Sequence, residues 1–419
     1  MAEEVRLREP DRKQLILRPT DIEGLIGPDH VARALWRVLQ GMDLSRFCAA
    51  IKARANTPGR DATDPRLLLA LWIYALSEGV GAAREIERLC QAHDAYRWIC
   101  GGVSVNYHTL SDFRVAHREA LDELMAQILA ALMAQGLVRL YRVAQDGTRV
   151  RASAGAASFR RHKTLKRCLA EARRQIAALQ DESADPQRSG REQAARERAA
   201  REREQRCLQA LKQLEQLSNH KAQAKNHPQR ETETRVSITD PQARVMKMAD
   251  HGYRPAYNLQ FAIDTEDRIV AGVCTSNSGS DSKQLEPMLD DIQGRSGLVP
   301  DQHLADGGFM NFGAVERAAE RGVEVFCPPR ENRTYHIDPL TPQPGDSPAI
   351  ADYRRRMGSP QGKTIYKERA STVETLNADL KTWRGLDRLL VRGIGKVHCV
   401  ALLSAITYNL LRAIKMGWL

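Results

Sequence analysis

Apolar residues recur at three- and four-residue intervals through the first third of the chain, and helix-boundary residues stand in the breaks between them. After a lead-in over 1–20 that reads as extended, Pro28-Asp29-His30 precedes a helical pattern running to Val38, and Asp43 stands ahead of a second that reaches Ile51. The strongest pattern follows Asp64-Pro65 in DPRLLLALWIYALSEG. Proline suits a first helical turn, where its missing N–H would have no partner, and Gly79 closes the run. Shorter patterns over 82–90 and 94–99 lead to a break at Gly101-Gly102, then to a helix starting in VNYHTLSDFRVAHRE and an amphipathic helix over 121–135. Residues 1–136 are therefore predicted to form an all-α N-terminal domain.

Beyond Gly136 the pattern changes. Residues 137–145 read as a strand with Asp146 at its exit; Asp146-Gly147 also reads as a hairpin turn, with 148–152 as the returning strand. From 158 to 228 the composition shifts to Arg, Glu, Ala, Gln and Leu, with helical stripes at Ile176 and Leu179 and at Leu208, Leu211, Leu214 and Leu217. Asp185-Pro186 and Ser189-Gly190 divide it into an inserted helical hairpin, a solvated, coiled-coil-like arm with Glu–Arg pairs one turn apart. Strand signals resume at 244–249, 257–264 and 268–276, followed by a helix (282–292), a short strand (301–305), a helix (312–321) and a strand (323–327). With the strand ending at Asp146, the order is three antiparallel strands, helix, strand, helix, strand and a final helix. This is an α/β layout of the ribonuclease-H-like kind, formed by 137–157 and 229–419, with the arm over 158–228 inserted early in the sheet. The Pro-, Gly- and Arg-rich stretch 328–363 reads as a long loop.

At 419 residues the chain is long enough for two or three domains, and a net charge of +11 with a pI near 9.3 points to a polyanionic partner. Aromatic residues make up only 5%, so base stacking on exposed rings is a poor principal binding mode. None of the eight cysteines forms Cys-x-x-Cys, which argues against a zinc ribbon or redox pair and fits a reducing, cytoplasmic setting. The opening MAEEVRLREPDRKQ lacks the apolar core of a signal peptide, and the apolar runs 67–76 and 400–411 read as buried helices too short to span a membrane.

The candidate chemistry gathers in YKERASTVETLNADLK, residues 366–381. Ala370, Val373, Leu376 and Leu380 give it an apolar face, and Glu374 and Lys381, two helical turns apart, share another. One reading makes Ser371 an N-cap and Glu374 the last member of its Ser-x-x-Glu capping box; the other makes Glu374 an acid held on a helix toward a metal. Tyr366-x2-Arg369-x4-Glu374-x6-Lys381, taken with Asp146 in VAQDGTRVRA and Asp306 in HLADGGF, resembles the DDE transposases of bacterial insertion sequences and their Tyr–Arg–Glu–Lys signature. The resemblance extends to the closing VRGIGKVHCVALLSAITYNLLR; one departure is that four residues, not the common three, separate Arg369 from Glu374.

The resemblance implies a catalytic, metal-binding triad of Asp146, Asp306 and Glu374. Two such aspartates side by side repel unless a cation lies between them. Two Mg²⁺ ions about 4 Å apart, with Mn²⁺ as substitute, would activate the attacking oxygen and stabilise the leaving one. Tyr366, Arg369 and Lys381 would contact phosphates. The implied activity is cleavage of double-stranded DNA at the inverted repeats of an insertion sequence and strand transfer into target DNA, carried out by a homodimer with no membrane partner. Tyr107, His108, Ser111 and Arg114 either belong to a helix-turn-helix variant that binds DNA or form the solvated face of a plain helical bundle. The arm's basic excess could touch DNA or a second subunit. Asp264, Glu368 and Asp379 rank below the triad, and His303 is a possible neighbour of Asp306. The alternatives are a non-catalytic DNA-binding protein and a nuclease that cannot join strands.

Overall fold

The computed structural model describes residues 13, 21–49, 51–53, 61–181, 190–223, 234–329 and 338–418. The lead-in over 1–20 (Lys13 apart), the arm's break at Asp185-Pro186 and Ser189, and 330–337 of the expected loop lie outside the described residues.

Among the described residues seven α-helices come first: α1 (Val31–Gly41), α2 (Ser45–Cys48), α3 (Pro65–Ser77), α4 (Ala83–Ala92), α5 (Asp94–Cys100), α6 (Tyr107–Ala116) and α7 (Arg118–Ala134). Their starts follow from local polar chemistry. The Asp64 carboxylate accepts the Arg66 N–H with Pro65 in the first turn of α3, and the Asn106 side chain accepts the Thr109 N–H at α6. Every residue of α3 from Leu67 to Leu76 is buried, which places this helix in the middle of its layer.

The sheet contains β1 (Arg142–Arg151), β4 (Arg244–Lys247), β5 (Tyr253–Asp264), β6 (Val270–Ser276), β7 (Gln302–Leu304) and β8 (Glu324–Phe326); a separate two-stranded ribbon pairs β2 (Phe159–Arg160) with β3 (Val236–Ser237). Across the main sheet the order is β6-β5-β1-β7-β8, with β4 beside the start of β5. β1, β5 and β6 pair antiparallel, whereas β7 and β8 run parallel to β1. α10 (Leu285–Ser296) and α11 (Phe312–Glu320) connect the parallel strands.

The last helix, α15 (Ile394–Lys415), packs on β6, α3, α6 and α7 and joins sheet to helices. The Asn409 amide is bonded to both the N–H and the C=O of Val270, at 2.8 Å each, which fixes α15 against the sheet. At 22 residues α15 is longer than the apolar run read from the sequence, and by length and composition it could cross a membrane; here 72% of its apolar window is buried inside the protein. One hydrophobic cluster runs from Ala32 in α1 to Ala413 in α15. Position 136 thus marks a change of secondary structure and not a break in packing. The junction is tight at Gly79 and Gly385, both at positive φ, where a Cβ on Gly385 would lie 2.9 Å from the Gly79 carbonyl oxygen.

The arm is an antiparallel pair, α8 (His162–Asp181) and α9 (Gly190–Gln223). It has its own small core of Leu165, Ala210, Leu214 and Val236, and Arg173 pairs with Glu204 at 2.8 Å across the two helices.

Three local expectations are corrected. Residues 142–151 form one uninterrupted strand, so Asp146-Gly147 is not a hairpin turn; β5 pairs with it from Val143 to Arg151. Gly147 is needed for space: a Cβ there would meet Gln260 Nε2 at 2.3 Å and Asp281 Oδ1 at 2.6 Å. The stretch 328–363 is not a loop throughout, since α12 (Pro348–Gly358) and α13 (Pro360–Arg369) occupy much of it. Each starts at a Ser-Pro pair whose serine side chain caps the first turn. Finally, Ser371 does not begin a helix. It lies inside a continuous helical run of α13, a π-turn over Ala370–Glu374, and α14 (Thr375–Thr382).

Candidate active site

β1 and β7 run parallel with Ala144 opposite Leu304. Two residues further along each strand stand Asp146 and Asp306, the same 160 positions apart (304 − 144 = 306 − 146), so the register brings the two acids to one level where β7 ends. The backbone holds each of them. Asp146 Oδ1 accepts the Gly147 N–H at 2.9 Å, and Asp306 Oδ1 accepts the Gly308 N–H at 2.8 Å, capping the turn after β7. Glu374 comes from the helical run that crosses this edge, with Val373, Leu376 and Leu380 as its fully buried face. Ala370, expected on that face, is exposed because the π-turn shifts the pattern.

The π-turn has a local cause. Ser371 and Thr372 hydroxyls both donate to the Glu368 carbonyl, Thr372 also to that of Arg369, and the Thr375 hydroxyl to that of Ser371. Hydroxyls thus serve carbonyls that a widened turn leaves short of N–H donors. The extra residue noted between Arg369 and Glu374 falls within this turn, and the two side chains still pair at 3.0 Å.

A cleft of about 520 Å³ is lined by Asp146, Asp306, Glu374, Asn377 and Lys381, with Arg149, Arg151 and Arg254 continuing its wall. Burial pushes the Asp146 carboxyl up to about 6; Arg369 opposes that rise and the charge of Asp306 adds to it. The Arg369 guanidinium bridges two of the acids, 3.8 Å from Asp146 Oδ2 and 3.0 Å from Glu374 Oε1. Burial works against its charge, but Asp146 and Tyr366 outweigh it and hold the pKa of Arg369 above the ordinary value. Burial lowers the pKa of Lys381, and Asp146 counters part of this.

The six residues of the expected triad and signature are therefore neighbours. The structure adds two that the sequence reading missed. Asn377 donates from Nδ2 to Asp146 Oδ2 at 3.2 Å; it sits between Glu374 and Lys381 at helical spacing, a signal present in the sequence. Asp281 accepts from Asn258 at 2.6 Å and from Gln260 at 2.7 Å beside Gly147, from a loop that carries no such signal. The competing acids have structural partners. Asp264 accepts the N–H groups of Glu266 and Asp267, Glu368 pairs with Arg142, and Asp379 pairs with Arg384. His303 is fully buried against Gln145 at 2.9 Å, and burial lowers its pKa to about 4.

Tyr107, His108, Ser111 and Arg114 do not line this cleft. His108 is exposed, Tyr107 is half-buried under the Arg84 guanidinium, and Ser111 is half-buried. Arg114 is only 7% exposed; it lies over the Trp72 ring and donates to the Gly81 carbonyl, so as placed it cannot face a duplex.

Carboxylate oxygens and the Asn377 amide oxygen suit a hard divalent cation in kind. Among the described residues, however, no three His, Cys, Asp or Glu side chains converge closely enough to hold an ion. Arg369 is the cation that now lies between Asp146 and Glu374.

Two family models match the chain. Residues 20–116, covering α1 to α6, match the Transposase domain (DUF772), and residues 233–410 match the Transposase DDE domain. The second match contains Asp306 and Glu374 but begins after the arm, so Asp146 falls between the two. No curated protein and no solved structure matches the chain. With its helical region and its acid-bearing sheet both matched to transposase domains, the chain belongs to the DDE transposases of insertion sequences.

Proposed function

We propose that this transposase cuts double-stranded DNA at the inverted repeats of its element and joins the freed 3′-hydroxyl to target DNA. The observation that carries the reading is that Asp146 from β1, Asp306 from the end of β7 and Glu374 from the helical run line one cleft, with Lys381 and Arg149 in its walls. The strand order β6-β5-β1-β7-β8, three antiparallel and two parallel, supports a ribonuclease-H-like core. The Tyr366, Arg369, Glu374 and Lys381 spacing supports the Tyr–Arg–Glu–Lys branch.

In this reading the three carboxylates would hold Mg²⁺, or Mn²⁺ in its place. Held there, such ions would supply the charge that activates an attacking hydroxyl and stabilises a leaving oxygen. Arg369, released from Asp146 and Glu374, turns with Tyr366 and Lys381 to the phosphates flanking the cut. Tyr107, His108 and Ser111 remain candidates for end recognition, and Arg114 is reassigned to the core. Cutting two ends together calls for a homodimer on DNA.

The test is a separation of binding from cutting. Asp306→Ala should bind a duplex carrying the terminal repeat about as well as the parent protein and leave it uncut. Cutting retained in that variant would remove Asp306 from the chemistry.

A further inference from the structure

We propose that Asn377 is a positioning residue of the active site, one that fixes the Asp146 carboxylate and offers a further oxygen to the cation the site would bind. The inference rests on the transposase reading above.

Asn377 lies one turn after Glu374 and one turn before Lys381, so all three project from the same side of the helical run into the same cleft. Its Nδ2 donates to Asp146 Oδ2 at 3.2 Å, while Asp146 Oδ1 is held by the Gly147 N–H at 2.9 Å. Both oxygens of the first acid therefore have a fixed donor, one from the strand and one from the helix that carries the third acid. Asn377 is the direct hydrogen-bonded link between those two elements inside the cleft.

The other end of the amide is unusual. Asn377 Oδ1 is buried and has no hydrogen-bond partner. Leaving such an acceptor unpaired is costly, so it calls for a donor or a cation when the protein works. The Nδ2 bond to Asp146 fixes which end of the amide is the oxygen, and Asn377 itself is one of the residues that line the cleft. A neutral amide suits this position better than a fourth acid: it can donate to a carboxylate and still present an oxygen. Residues that orient a metal-binding carboxylate typically change metal affinity or activity by about 10- to 100-fold when replaced.

The experiment compares the full-length parent, Asn377→Asp, which keeps the shape and an acceptor but loses the donor, and Asn377→Leu, which loses both. Ala378→Ser, on the exposed side of the same helix, serves as the control. Each is measured for Mn²⁺ affinity by calorimetry without DNA, for affinity to the terminal-repeat duplex, and for cleavage rate at saturating DNA. The expected result is a 10- to 100-fold weaker Mn²⁺ affinity in Asn377→Leu, a cleavage rate reduced about 10- to 100-fold in both Asn377 variants, and DNA affinity within about twofold. Parent-like Mn²⁺ affinity and cleavage in both variants would overturn the proposal, as would a loss of DNA affinity equal to the loss of rate. A parent protein that never cuts would instead count against the transposase reading, and the Mn²⁺ comparison would still judge Asn377.

Discussion

Arg369 and Glu374 are five residues apart, yet their side chains pair at 3.0 Å because the helix between them widens into a π-turn. In a regular α-helix residues four apart, not five, share a face. The turn absorbs one residue and keeps the cation and the third acid aimed at the same cleft.

Deleting Ser371 should therefore return the run to plain α-helix with Arg369 still facing the acid. Cleavage should survive, within a few-fold. Inserting an alanine at the same place should abolish it. Cleavage lost on deletion, in a protein whose melting profile is unchanged, would mean the widened turn does more than restore the spacing.

Thr372 is buried and its hydroxyl donates to the carbonyls of Glu368 and Arg369. Thr372→Val keeps the shape and removes both bonds. It should cost about 1–2 kcal/mol in a denaturant melt and lower cleavage with it. A stability equal to that of the parent would show that the hydroxyl does not support the turn.

Asp146 should behave as a costly buried acid. Its folded pKa, about 6, lies above the ordinary aspartate value of 3.8, so folding must bear the cost of its charge at neutral pH. Asp146→Asn should then be more stable than the parent above pH 6, by about 3 kcal/mol at most, without added metal. The gain should shrink as pH falls from 6 to 4, where the parent's carboxyl takes up its proton. A variant less stable than the parent at pH 7.5 would contradict this sign.

The candidate site is legible in the sequence mainly through the family resemblance that its motifs carry. The pattern puts Asp146 and Asp306 at strand ends, and Glu374, Arg369 and Lys381 on a helix. What could not be read was tertiary. Asp146 lies in mid-strand because β5 extends the pairing that β7 ends, and Gly147 is set by side chains from β5 and the Asp281 loop. The two Ser-Pro helix starts were hidden in a stretch whose proline and glycine content reads as loop. The basic pattern of α6 predicted an exposed arginine, but burial against Trp72 took Arg114 inward.

Arg114 offers a direct check on that last point. Arg114→Ala removes a buried cation from Trp72 and the Gly81 carbonyl, and should cost about 2–4 kcal/mol of stability. The salt dependence of DNA binding should keep its slope, since no phosphate contact is lost. A slope reduced by about one unit, with stability unchanged, would return Arg114 to the DNA-binding surface.

If Asp146, Asp306 and Glu374 form one DNA-cutting site, the loss of one carboxylate charge must stop cutting without releasing the DNA. The most direct measurement incubates the protein, with Mg²⁺, with an end-labelled duplex carrying the terminal repeat of its own element, beside Glu374→Gln. The expected result is nicking at the repeat boundary that leaves a 3′-hydroxyl, and its loss in Glu374→Gln with end binding retained. Equal nicking by both proteins, or binding by the parent without nicking in either Mg²⁺ or Mn²⁺, would contradict it.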